Sequence, residues 1–187
     1  MDAISALHER VSIAKVTAPA PNAEQREAIF RAATRAADHK RLRPWRFLVI
    51  EGEGLRRLGD LFETAALEEA PEIPEKTLKA LGNKPLRAPM IVVAIATCEE
   101  RPGVPEVEQI VSTGAAVQNM LLAAYALGVG AFWRTGAMAY HPTIAKGLGL
   151  TDNEKIIGYL YLGTPASTPP KPKDVDLAQY FTPWPAN

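Results

Sequence analysis

From Arg35 to Arg46 five cations, Arg35, Lys40, Arg41, Arg43 and Arg46, stand against a single acid, Asp38. A guanidinium grips phosphate or carboxylate through parallel N–H donors, so a loop this rich in cations is suited to hold an anion. The run feeds directly into Trp45 to Ile50, whose apolar residues read as a strand, which sets the loop at the edge of a core. Two more arginines lie outside this run. Arg10 is followed by Val11 and Ser12, and Arg134 lies between Trp133 and Thr135 after the glycine-led run Gly128 to Phe132.

Other chemistries find little support. The chain has no P-loop, no Gly-x-Ser-x-Gly elbow, no His-Glu-x-x-His pair and no glycine-rich dinucleotide fingerprint. Its three histidines, His8, His39 and His141, lie far apart with no acid at ligand spacing, which argues against a metal. Cys98 is the only cysteine, so the chain can form no internal disulfide and suits a reducing compartment. With no evident nucleophile, a bound cofactor is the natural source of reactivity.

Composition sets the frame for these residues. Twenty-one basic residues balance twenty-one acidic ones, so no global field draws in nucleic acid or an anionic membrane, and recognition must be local. The 187 residues predict one domain over 1–187 with a real core. The start, MDAISALHER, lacks the pattern of a signal peptide. Ile110 to Leu127 is too interrupted by Ser112, Thr113, Gln118 and Asn119 to span a bilayer. A cytoplasmic protein is expected.

Periodicity predicts a short helix over 2–9. A second is expected over about 23–37, opened by an Asn22–Gln25 capping box. A strand over 45–50 precedes a helix of about 55–69. Residues 70–88 read as a mobile helical connection. The β-branched run Pro89 to Ala96 is a buried strand, and Pro105 to Leu127 is one long helix, central or at a subunit contact. Its Leu121–Ala126 segment reads as core. A strand over 128–133, a helix of about 141–148 and a last strand over 156–163 follow. The proline-rich tail after Gly163 is expected to be extended. Interleaved helices and about four strands point to a central mixed or antiparallel sheet with helices on both faces.

The order Arg10-Val11-Ser12, Arg35 to Phe47, Phe132 to Gly136 and Gly158 to Pro165 resembles the nitroreductase family, in its short bacterial branch, over residues 2–165. That resemblance implies an α+β fold, with a sheet flanked by helices, and an FMN-dependent, intertwined homodimer whose C-terminal arms, residues 163–187 here, reach onto the partner. It implies hydride transfer from NADH or NADPH through flavin N5 to a nitroaromatic, quinone or similar flat acceptor, in ping-pong order and with no catalytic side chain. Arg10 and Ser12 match the family's phosphate-binding Arg-x-Ser. Val11 stands where a second arginine is usual, leaving a backbone contact. Trp133, Arg134 and Thr135 match a flavin-contacting turn, with Arg134 on the phosphate. Arg35 and His39 match positions that approach the flavin from the partner subunit. Arg41 and Arg43 replace the family's usual Asn and Gln. Two other readings remain open at this stage. One is a flavoprotein of the same fold with other redox chemistry, such as a dehalogenase or dehydrogenase. The other is a non-enzymatic dimer that binds anions or nucleic acid.

Overall fold

The computed structural model describes residues 1–184; the last part of the expected arm, 185–187, lies outside the described residues. The strands are β1 (Val16–Thr17), β2 (Trp45–Glu51), β3 (Met90–Thr97), β4 (Gly130–Arg134) and β5 (Glu154–Pro165). The α-helices are α1 (Ala3–Glu9), α2 (Ala23–Ala33), α3 (Glu53–Glu69), α4 (Glu75–Gly82), α5 (Glu106–Ala126) and α6 (Pro142–Gly147). The sheet runs β1-β5-β3-β2, with β4 also paired to β5. All of its pairings among the described residues are antiparallel, so the fold is α+β with an antiparallel rather than a mixed sheet.

Strand β3 explains how the sheet carries helices on both faces. Side chains alternate across a strand, and Ile91, Val93 and Ile95 enter one apolar cluster with Leu55, Leu58 and Phe62 of α3. Met90, Val92 and Ala94 enter the other, against Ile29 of α2 and Ala116, Val117 and Met120 of α5. Six consecutive apolar residues are therefore needed, because neither face meets water.

Local signals place the ends. The Asn22–Gln25 capping box forms, with both hydrogen bonds at 2.9 Å. Helix α2 stops at Ala33 rather than near 37: Arg35 and Ala36 donate three residues back, to Ala32 and Ala33, which tightens and ends the last turn. Arg35 therefore lies beyond the helix. Residues 70–88 are more regular than expected, with α4 packed on α3. A Cβ at Gly59 would sit 2.2 Å from the Gly82 carbonyl oxygen, so only glycine allows that approach. Strand β5 begins at Glu154 and continues through Pro165, so the exposed tail starts later than Gly163. No described helix is long and apolar enough to cross a membrane.

Candidate functional site

Strand β4 sorts its side chains between the two faces. Phe132 and Arg134 share a face with Tyr161 and Tyr159, their register partners on β5. The Arg134 guanidinium carbon lies 4.1 Å from the Phe132 ring centre and 5.3 Å from that of Tyr161. Trp133 turns the other way, packs with the α5 cluster, and donates from its indole Nε1 to the Ile157 carbonyl at 3.2 Å.

Beside Arg134 opens a cleft of about 460 Å³. Phe62 of α3 and Tyr159 and Tyr161 of β5 give it aromatic walls, and Thr135 to Met138 form one side. Lys84 and Arg87, on the turn after α4, complete it. Three cations, Lys84, Arg87 and Arg134, line this cleft, and no acid does so among the described residues. Burial pushes the Tyr161 phenol upward in pKa, with Arg134 and Arg87 opposing the shift. Burial also raises Tyr159, whose hydroxyl donates to the Met138 carbonyl at 2.9 Å and so ties the cleft wall to the sheet.

The Arg10 to Ile13 segment is tied to β4 by Ile13, whose amide donates to the Ala131 carbonyl at 2.9 Å. Val11 packs on the same apolar cluster as Phe132, while Ser12 is exposed. Two guanidinium nitrogens, Arg10 Nη1 and Arg134 Nε, are buried with no hydrogen-bond partner among the described residues. A buried donor in this state lacks about 1–3 kcal/mol of compensation. A bound anion with several oxygens is the chemistry that supplies it, so the residues fit a phosphorylated ligand.

His39 lies elsewhere. Its Nδ1 is 2.6 Å from Glu108 of α5, beside a shallow groove of about 340 Å³ floored by Val107 and Val111. Within one chain His39 does not join the Arg134 cleft, and Arg35 is exposed. The cations of residues 35–46 are likewise divided. Arg46 is held by Glu154, with Nη2 donating to Oε2 at 2.7 Å, and Lys40 donates to the Pro102 carbonyl at 2.7 Å. Arg35, Arg41 and Arg43 are exposed and form no ion pair among the described residues.

The Nitroreductase family model matches residues 7–164, more than four-fifths of the chain. This chain belongs to the nitroreductase family. Among its relatives is YdjA of Escherichia coli K12, provisionally named an NAD(P)H nitroreductase, which is 43% identical over 165 residues covering 88% of this chain and 89% of YdjA. A Haemophilus influenzae protein with the same provisional activity name is 38% identical over the same shares. A nitroreductase-like protein from Bacillus cereus superposes with a TM-score of 0.85 at 26% identity, covering 97% of this chain and 95% of that one. A provisionally named nitroreductase from Desulfovibrio desulfuricans, determined in complex with FMN, gives 0.74 at 26% identity over 99% of both chains.

In this nitroreductase-family chain several cleft residues escape sequence reasoning. Lys84 and Arg87 sit in an irregular turn whose position follows from the Gly59–Gly82 contact, which no local pattern announces. Tyr159 and Tyr161 were accessible to simple alternation along the last strand, which places both on the Arg134 face.

Proposed function

We propose that this chain is an FMN-dependent oxidoreductase that uses NADH or NADPH to reduce nitroaromatics, quinones or similar flat acceptors, acting as a cytoplasmic homodimer. The carrying observation is the pair of buried nitrogens, Arg10 Nη1 and Arg134 Nε, that have no hydrogen-bond partner among the described residues. They come from distant points of the sequence, and a phosphate monoester has the charge and the oxygens to satisfy both. The FMN complex of the Desulfovibrio relative and the NAD(P)H in the name of YdjA support the same cofactors here.

In this reading Arg10, Ser12 and Arg134 hold the phosphate, and Val11 offers only its peptide group where an arginine is usual in the family. Thr135 lies next to Arg134 on the cleft wall. Trp133 lines the same cleft, and its indole, bonded to the Ile157 carbonyl, also holds Arg134 in register. Lys84 and Arg87 line the same cleft, and their positive charge would stabilise negative charge on a ring bound there. FMN, when bound, supplies the two-electron chemistry that no side chain here can provide. Arg35 and His39 reach the cleft from the second chain, and the C-terminal arms wrap onto the partner. The nicotinamide and the acceptor use one cleft in turn, which gives ping-pong kinetics.

The test is spectroscopic. Protein loaded with FMN under anaerobic conditions should lose its visible absorbance on addition of NADH or NADPH and regain it with a nitroaromatic or a quinone. Protein that takes up no FMN contradicts the reading.

A further inference from the structure

Three residues of one short loop, Lys40, Arg41 and Arg43, have φ of 58°, 56° and 51°. This is the left-handed region, which costs free energy for residues with a Cβ and is usually left to glycine or asparagine. Surroundings must enforce such a conformation, and residues held this way cluster where a binding site needs a fixed shape.

The enforcing contacts are visible. Asp38 Oδ1 accepts from the Arg43 amide at 3.0 Å, closing the loop on itself. His39 is fixed to Glu108, and the Lys40 ammonium to the Pro102 carbonyl. At the far end the Pro44 carbonyl accepts from Thr113 Oγ1 of α5 at 2.8 Å and from the Thr97 amide at 3.0 Å. Pro44 also steers Arg43 away from right-handed helical backbone. The result is a rigid turn from which Arg41 and Arg43 project exposed, with no acid paired to either among the described residues. Asp38 is engaged with backbone and Glu108 with His39, so neither neutralises them.

We infer that Arg41 and Arg43 bind the 2′-phosphate of NADPH and make this chain prefer NADPH over NADH. Two guanidinium groups on a preorganised turn match a compact dianion better than a long polyanion. The chain's balanced charge and the absence of aromatics between these cations disfavour nucleic acid. The ring and pyrophosphate are common to both nicotinamide nucleotides, so only the added phosphate distinguishes them. The inference rests on the NAD(P)H-dependent reading above, with this loop brought to the cleft by the second chain.

Two measurements on the FMN-loaded protein test it. Binding of adenosine 2′,5′-bisphosphate and of 5′-AMP is followed by calorimetry, and kcat/KM is measured for NADPH and NADH. We expect the bisphosphate to bind at least about tenfold tighter than AMP, and kcat/KM to favour NADPH by a similar factor. Arg41→Gly and Arg43→Gly suit the left-handed backbone and should fold; each should cut the NADPH:NADH ratio severalfold. Bleaching by both nucleotides without preference, or a preference that survives both substitutions, overturns this inference alone. Bleaching by neither overturns it together with the reading it rests on.

Discussion

A Cβ added to Gly158 would lie 2.2 Å from Nε1 of Trp133 and 2.7 Å from the carbonyl oxygen of Arg134. The indole fills the space beside this residue and hydrogen-bonds to the carbonyl of Ile157 just before it. The strand there is irregular, with its register shifting between Ala94 and Ile95 opposite. One glycine thus seats the tryptophan on the α5 side, and the seated tryptophan leaves Arg134 to the cleft.

Gly158→Ala should therefore act on both stability and binding. Overpacking against backbone that cannot withdraw costs about 1–3 kcal/mol, and the φ of +154° adds strain. Thermal unfolding should fall by several degrees, and FMN affinity should fall with it as Arg134 is displaced.

Glu154 predicts an acid limit. Its carboxyl is held down at about 2, chiefly by the Arg46 side chain, against burial, with further help from the Thr151 amide and Thr97. A carboxylate whose folded value lies below its ordinary 4.5 adds stability above that value. The contribution is lost as pH falls from about 4.5 towards 2. Glu154→Gln should lower stability at neutral pH by about 2 kcal/mol and flatten the dependence in that window, as read by urea unfolding at several pH values.

These elements also mark what the sequence discloses. The apolar run of β3, the Asn22 cap and the long α5 were legible because each is local: composition, period and one side-chain bond suffice. β1 was not, since two residues, Val16 and Thr17, carry no period and pair only because β5 runs on to Pro165. The site divides in the same way. Arg10 and Arg134 were marked by the likeness of their surrounding motifs to the nitroreductase family, whereas Lys84 and Arg87 depend on a helix crossing set by two glycines remote in sequence. The basic run looked like one anion site. Arg46 is instead paired with Glu154, 108 residues away, which only the fold could disclose.

The proposed homodimer makes a prediction of its own. Val107 and Val111 on α5 are 62% and 64% exposed, one helical turn apart, an apolar pair that a second chain would cover. Val111→Glu should place a charge in that contact. Sedimentation should find the parent chain dimeric and the variant largely monomeric, with FMN affinity lost as the proposed approach of Arg35 and His39 from the second chain requires.

The unpartnered guanidinium nitrogens predict how binding fails. Arg10→Ala or Arg134→Ala removes a charge-assisted contact worth about 1.5–3 kcal/mol, so FMN should bind about ten- to a hundredfold more weakly. Riboflavin, which has no phosphate, should bind each variant about as it binds the parent. A loss shared equally by both ligands would point to a damaged fold instead.

Whether the half-buried Arg10 and Arg134 anchor a phosphate beside the aromatic cleft, as proposed, is read most directly from the ratio of FMN to riboflavin affinity. Titration of the flavin-free protein, followed by quenching of flavin fluorescence, should give FMN the tighter binding by at least about two orders of magnitude, as expected for two charge-assisted contacts. Equal affinities, or binding of neither ligand, would contradict the account.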